Sequence, residues 1–262
     1  MWDPAYIGAG FGVGVLVGLT GIGGGSMMTP ILVLLFGQPP SIAVGTDLIF
    51  AAATKTVATT LHGLRRRVDW PVLGRLALGS IPTALATLAW LASHQRAQVS
   101  VDRITLNALG VMLLLSAAGL VVQIRIARLG FHLDAPFIER FQRWQPVITV
   151  ITGVGLGLAV TLTSVGAGAL GTVVLVFLYP LRLTPVRLVA TDIAHALPLT
   201  LVAGLGHAAL GHLNLPLLAN LLLGSVPGVL IATRTAVRAP EWLIRTLVAV
   251  MLAVTGARVL IG

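Results

Sequence analysis

Thr20-Gly21-Ile22-Gly23-Gly24-Gly25-Ser26 lies inside an apolar stretch, and an altered copy returns 143 residues later as Thr163-Ser164-Val165-Gly166-Ala167-Gly168-Ala169. Runs of glycine break a helix, because glycine gives up the most backbone freedom on being ordered. The N–H and C=O groups freed by a break cannot face lipid, where nothing would pair with them. They must be buried in protein or line a cavity. In transporters built from internal repeats, broken segments at matching positions are the best sequence pointer to the substrate site. The fold therefore turns on whether the two stretches are copies of one another.

The flanking residues say that they are. At an offset of 143, Gly12 and Gly14 also fall on Gly155 and Gly157. At 145, Thr46-Asp47 falls on Thr191-Asp192, His62 on His207, Pro71 on Pro216, and Gly79-Ser80-Ile81-Pro82 on Gly224-Ser225-Val226-Pro227. A two-residue insertion near Tyr179-Pro180 joins the two registers. Chance matches single glycines in so apolar a chain, but not a Thr-Asp pair, a histidine and a Gly-Ser-x-Pro in one register.

Composition sets the class. The 262 residues are 56% hydrophobic and 10% charged, against about 25% charged in a soluble domain. The deficit runs the whole length, so the chain is expected to be integral to a membrane. Its net charge of +9 comes from arginines set between apolar runs rather than on one basic face. Membrane topology and anionic lipid account for them better than nucleic acid does. No cysteine is present, which excludes disulfides and thiolate metal sites. Neither a metal nor a cofactor is expected. Met1-Trp2-Asp3-Pro4 lacks the positive region of a removable signal peptide.

Apolar segments run over about 7–36, 41–64, 70–92 and 104–126, then 147–179, 185–209, 215–232 and 242–261. Residues 1–126 form a first transmembrane repeat and 147–262 a second, with 127–146 between them as an interfacial linker helix carrying Phe137, Ile138, Phe141 and Trp144 on one face. Trp70, Trp90, Trp144 and Trp242 stand at segment ends, where aromatic belts form.

Arginine placement decides how the halves point. If each glycine-broken segment crosses fully, the arginines divide nine against seven. If each enters and returns on one side, 13 gather on one side, leaving Arg96, Arg103 and Arg258 opposite. Only the second arrangement shows a positive-inside bias. Ile7–Thr20 and Ser26–Phe36, with 14 and 11 residues, are also shorter than the roughly 17–25 needed to span. Val147–Thr163, at 17 residues, sits on the border. The expectation is an all-α polytopic membrane protein of two inverted repeats. Each repeat is a re-entrant broken-helix hairpin followed by three transmembrane helices, and both termini lie outside the cytoplasm.

At each hairpin tip the returning half-helix begins near Ser26 or Gly168, presenting free N–H groups and a positive dipole end to the bilayer midplane. Two such ends facing each other form an anion site without a charged side chain. The candidate substrate-binding residues are Thr20, Gly21, Gly23, Gly24, Gly25, Ser26 and Met27, with Thr163, Ser164, Gly166, Ala167 and Gly168 in the second half. Gly8, Gly10, Gly12, Gly14 and Gly18 read instead as helix–helix packing positions.

Ionisable residues inside spans are rare and functional by default. Asp47, Lys55 and His62 share one helical face, and Asp192, His195 and His207 are their counterparts in role, although Lys55 aligns with Thr200. They are candidates for proton coupling or gating. The alternative for the aspartates is capping of hairpin N–H groups, and for His62 and His207 hydrogen bonding at the interface. No hydrolase elbow, zinc-spaced histidine pair or phosphate-binding loop is present, so neither an enzyme nor an ATP-driven pump is expected.

Gly21-Ile22-Gly23-Gly24-Gly25-Ser26-Met27-Met28-Thr29-Pro30, with Ala43-Val44-Gly45-Thr46-Asp47 and Gly79-Ser80-Ile81-Pro82, resembles the sulfite exporter family of the TauE/SafE type over essentially the whole chain. The second copy departs from the pattern with Ala167 for a glycine and Val173 for the expected proline. The resemblance implies a secondary transporter for small anions such as sulfite, sulfoacetate, related sulfonates or short carboxylates. It would sit in a bacterial inner membrane; protons as a candidate coupling ion follow from the aspartates and histidines above, not from the resemblance. A passive anion channel is the closest alternative and a membrane-embedded enzyme a distant one. Oligomeric state, substrate, coupling ion and direction are not legible.

Overall fold

The computed structural model describes residues 2–20, 25–62, 67–129, 135–166, 168–179, 182–235 and 241–261. Within these, the side chains of 19, 20, 25, 26, 57–62, 123–129, 135–142, 169, 185, 233–235 and 241–245 are not described. Ten α-helices follow one another, with no strand among the described residues. The first five are α1 (Pro4–Thr20), α2 (Gly25–Leu34), α3 (Pro40–His62), α4 (Trp70–Ser93) and α5 (Gln98–Leu129). The second five are α6 (Ala135–Thr163), α7 (Ala169–Leu178), α8 (Pro185–Ala209), α9 (Leu215–Thr235) and α10 (Glu241–Ile261).

Five helical stretches are long and apolar enough to cross a bilayer by length and composition: Trp70–Ser93, Gln95–Val122, Arg143–Thr163, Val186–Ala209 and Leu215–Ala232. Four are expected spans. The fifth is the first arm of the second hairpin, longer than expected because α6 runs unbroken through Pro146 and takes in linker residues 135–146. Helix α3 has the length but carries Asp47, Lys55 and five threonines. The described apolar part of α10 is the shorter Thr246–Ile261. Leu78, Leu85, Ile151, Leu205 and Leu247 point outward, as side chains facing acyl tails do. Trp70 and Trp90 are exposed near the ends of α4, and Trp144 is exposed within α6, at the start of its membrane-crossing stretch.

Each glycine-broken segment closes at its mouth. Gln38 Nε2 donates to Tyr6 Oη at 3.2 Å, and the Tyr6 and Phe36 rings lie 4.5 Å apart, so the chain leaving α2 returns to the start of α1. In the second half Gln145 Nε2 donates to the Leu178 carbonyl at 2.8 Å, and Thr149 Oγ1 lies 2.7 Å from Tyr179 Oη. Although α6 is long enough to cross, α7 thus brings the chain back beside residues 145–149 of α6.

Packing between the halves falls into matching pairs. Helix α1 packs most extensively on α9, and its counterpart α6 packs on α4; α3 meets α8, and α5 meets α10. Glycine permits the first two contacts. A Cβ at Gly10 or Gly14 would strike the main chain of Leu221 or Ser225, and one at Gly153 or Gly157 that of Leu76 or Ser80. Both pairs run in the same direction, since position rises along both partners. Gly45 lies against His207 and His212, whereas Gly204 lies against Ile49, so α3 and α8 run in opposite directions. Gly8, Gly12 and Gly155 have open space where a Cβ would go. Among the described residues these three meet no neighbouring helix, because they fall on the opposite side of their helices.

Candidate functional site

The two Thr-Asp motifs place one aspartate in the middle of the protein from each half. Asp47 on α3 and Asp192 on α8 are 0% and 2% exposed. Each is held by a threonine from the short returning arm of its own half. Thr29 of α2 donates to Asp47 Oδ2 from its backbone N at 3.1 Å and from Oγ1 at 2.5 Å. Thr172 of α7 donates from Oγ1 to Asp192 Oδ2 at 3.1 Å. Thr29 and Thr172 are themselves equivalent at the 143 offset. An anchored aspartate is therefore part of each hairpin's architecture, and the capping alternative describes Oδ2 of Asp47 well. It does not describe the other oxygen: Oδ1 of Asp47 and Oδ1 of Asp192 make no hydrogen bond among the described residues.

The halves meet at these two aspartates. Ser164, in the turn of the second hairpin, interacts with Asp47 of the first half. Lys55 of α3 interacts electrostatically with Asp192 and, more weakly, with Asp47. Lys55 is 2% exposed, so its charge is enclosed with the carboxylates it balances. On α8, His195 Nε2 lies 2.8 Å from Ser80 Oγ of α4 and within electrostatic range of Lys55. Gly171 on α7 lies so close to Asp192 that a Cβ there would collide with Oδ1.

The second hairpin turn is described except for Ala167. Thr163 Oγ1 donates to the Ala159 carbonyl at 2.7 Å and accepts from Val165 N at 3.1 Å. Ser164 takes φ +59°, a left-handed conformation rare outside glycine. Gly166 and Gly168, at φ +120° and +133°, complete the reversal. Helix α7 begins immediately after Gly168, and Gly171 N bonds back to the Gly166 carbonyl at 3.0 Å. The first hairpin's tip, Gly21, Gly23 and Gly24, lies outside the described residues, as do the side chains of Thr20, Ser26 and His62, while the backbone of Gly25 starts α2. Met27 is packed in an apolar cluster with Leu109, Leu113 and Leu252.

His207 stands apart from this centre. It is buried near the far end of α8, where Nε2 lies 2.9 Å from the Thr161 carbonyl and Nδ1 lies 3.2 Å from His212 Nδ1. A carbonyl only accepts, so Nε2 carries the proton and Nδ1 receives one from His212. Its partner comes from the α8–α9 turn and makes the histidine an interior hydrogen-bonder rather than one at the interface.

Three features have no place in the expectations above. Thr29, Thr172 and Ser80 supply the hydroxyls around the aspartates, and extending the repeat register to every threonine would have paired the first two. Asp69 caps α4 through Val72 N and forms a two-point ion pair with Arg182, both bonds at 2.9 Å, with Arg187 at 3.6 Å. Its position before Trp70-Pro71 carries the cap signal. Asp69 N donates to Thr191 Oγ1, and its repeat equivalent Asn214 N donates to Thr46 Oγ1. The threonines of both Thr-Asp motifs thus tie the two halves together.

Comparison with known proteins bears on what this arrangement serves. The family model for the sulfite exporter TauE/SafE matches residues 6–259. The probable membrane transporter protein YjnA of Bacillus subtilis (strain 168) is 35% identical over 258 residues, covering 96% of this chain and 97% of its own. YdhB, another probable membrane transporter protein of that organism, is 23% identical over 250 residues, covering 94% and 95% of the two chains. YunE, a third, is 42% identical over 60 residues, 23% of this chain and 22% of its own. No solved structure matches.

Proposed function

Because the chain belongs to the sulfite exporter TauE/SafE family of membrane transporters, we propose that it is a secondary carrier of small anions working by alternating access. The anion class is sulfite, sulfoacetate and related sulfonates or short carboxylates. It binds at the midplane between the hairpin tips, on backbone N–H near Gly24, Gly25 and Ser26 and around Gly166 to Gly168. One observation carries the proposal: the turn of one half's hairpin, at Ser164, lies against the buried aspartate of the other half. A site assembled from both halves can open to either side as they rock.

The repeats are inverted in the bilayer. Supporting this, the equivalent helices α3 and α8 run antiparallel, and both hairpins close at their mouths. Arg65, Arg66, Arg67, Arg140 and Arg182 then face the cytoplasm, with Arg96 and both termini opposite, in a bacterial inner membrane. Protons drive the carrier through the aspartate centre, where an uncompensated carboxylate is costly enough to exchange a charge with solvent.

A thermal-shift screen of the purified protein tests the substrate class. A ligand that binds only the native state raises apparent stability by an amount set by its concentration over Kd. A small sulfonate, sulfite or a short carboxylate should stabilise the protein, and sulfate or organic cations should not. Stabilisation by none of the anions would reject the proposal.

A further inference from the structure

Asp69 and Asn214 hold equivalent places in the two halves and do the same backbone work. Asp69 Oδ1 accepts from Val72 N at 3.3 Å to cap α4, and Asn214 Oδ1 accepts from Leu217 N at 3.0 Å at the start of α9. Each backbone N donates to the Thr-Asp threonine of the other half, at 2.9 and 3.2 Å. Asparagine caps a helix as well as aspartate does, so neither task needs the charge at position 69. That charge meets two arginines of the second half. Arg182 donates to Asp69 through Nε and Nη2, both at 2.9 Å, and Arg187 Nη2 lies at 3.6 Å. At the 145 offset the first half has Gly37 and Ile42 in their places. Asn214 therefore has no ionic counterpart to this contact among the described residues.

The partners differ in exposure. Asp69 is 3% exposed, whereas the Arg182 and Arg187 side chains are 45% and 46% exposed. Water reaches the arginines but hardly reaches the carboxylate. Tyr179, at the mouth of the second hairpin, gathers more positive charge here. The Arg182 guanidinium lies 5.9 Å from its ring centroid, and Arg75 Nη1 donates to its hydroxyl at 3.4 Å. Beside the pair, Val68 of the first half packs with Ala190 and Ile193 of the second in a buried apolar cluster. A guanidinium fork grips a pair of carboxylate oxygens, and a sulfonate or a free carboxylate presents the same pair. An ion pair whose arginines stand half in water adds little net stability, so a dissolved anion can exchange with Asp69. The consequence is larger than the exchange itself. A buried carboxylate stripped of its partners is strongly unfavourable until water reaches it, and here that requires the halves to part.

Building on the carrier function above, we propose that Arg182 and Arg187 form an entry site for small sulfonate or carboxylate anions, which Asp69 of the other half fills as a tethered carboxylate in this structure. An arriving anion takes the arginines from Asp69 and thereby unlocks the seam between the halves at this end. The opposite end, with Asn214 in place of Asp69, has no such lock.

Cysteine modification reports the parting directly, because the chain has no cysteine of its own. Val68→Cys in the purified full chain should react slowly with N-ethylmaleimide in sodium chloride. Sodium sulfoacetate at equal ionic strength should speed that reaction about tenfold, within the range of effector coupling. Added to this background, Asp69→Asn keeps the cap and should react fast without sulfoacetate. Arg187→Gln leaves both bonds from Arg182 in place. It should stay slow in chloride yet need roughly tenfold more sulfoacetate, the scale of one lost charged contact. No acceleration beyond chloride, a slow Asp69→Asn, or an unshifted Arg187→Gln would overturn the site. So would nanodiscs in which phosphatidylglycerol, against phosphatidylcholine, brings the acceleration without sulfoacetate, since the arginines then hold lipid phosphate. Sulfoacetate transport in proteoliposomes without any acceleration would leave the carrier function standing and remove the entry site. The whole labelling pattern without transport would refute the carrier function and keep the entry site.

Discussion

Backbone donors and side-chain donors at a hairpin tip respond differently to substitution. A half-helix N-terminus carries roughly half a positive charge in its peptide dipoles, which no side-chain deletion removes. Ser26→Ala should therefore weaken anion binding by only about 0.5–1.5 kcal/mol, one hydrogen bond. Gly24→Val should abolish binding by keeping the ligand away from the backbone. Titration of the stabilising anion against each purified variant measures both, and a Gly24→Val protein that folds and binds normally would remove the anion from this tip. His212, outside the spans, supplies a separate effect of pH. Burial holds its pKa below the ordinary imidazole value, against a smaller opposing pull from Asp102. A base with a lowered folded pKa stabilises the fold above its unfolded pKa, and this is lost as pH falls below it. Melting of His212→Gln should thus fall less steeply on the acid side than that of the wild type. The Thr-Asp motifs were legible in the sequence as a matched pair, because a repeat register needs only one chain. Their partners were only partly so. Thr29 lies 18 residues from Asp47 within one repeat and follows from the register, but the meeting of Ser164 with Asp47 depends on how two halves dock.

At the scale of the helices, small-residue spacing separates the faces that touch protein from those that touch lipid. Gly153 and Gly157 sit four apart on α6 and meet the main chain of α4, whereas Gly155, between them, meets nothing among the described residues. Valine at 157 would press into the Ser80 backbone, which cannot yield as a flexible side chain can. Overpacking of this kind costs about 1–3 kcal/mol. Gly157→Val should lower the melting temperature or prevent folding, while Gly155→Val should leave it nearly unchanged. Equal effects at the two positions would contradict the packing of α6 on α4. Alternate glycines on one helix share a composition but not a face, which is why sequence alone assigned Gly8 and Gly12 to packing beside Gly10 and Gly14. The joining of the linker to α6 was hidden for another reason. Pro146 marks a boundary in sequence, yet a helix with neighbours packed along it passes through the proline.

For the molecule as a whole, inversion of the repeats and a shared anion site stand or fall together, because opposed helix ends require hairpins entering from opposite sides. The chain contains no cysteine, so single introduced cysteines report position cleanly. Cysteines replacing Arg96 and Arg182 should react with an impermeant thiol reagent from opposite sides of the membrane, and labelling from one side would contradict inversion. The most direct measurement combines position with chemistry: the rate at which an anionic methanethiosulfonate modifies Ser26→Cys and, separately, Ser164→Cys in proteoliposomes. Sulfoacetate should slow both reactions by about tenfold or more at saturation, as occupancy of a shared site requires. It should not slow the same reaction at Val111→Cys, on an exposed face of α5. Unchanged rates at both hairpin turns, with any anion that stabilises the protein, would place the substrate elsewhere.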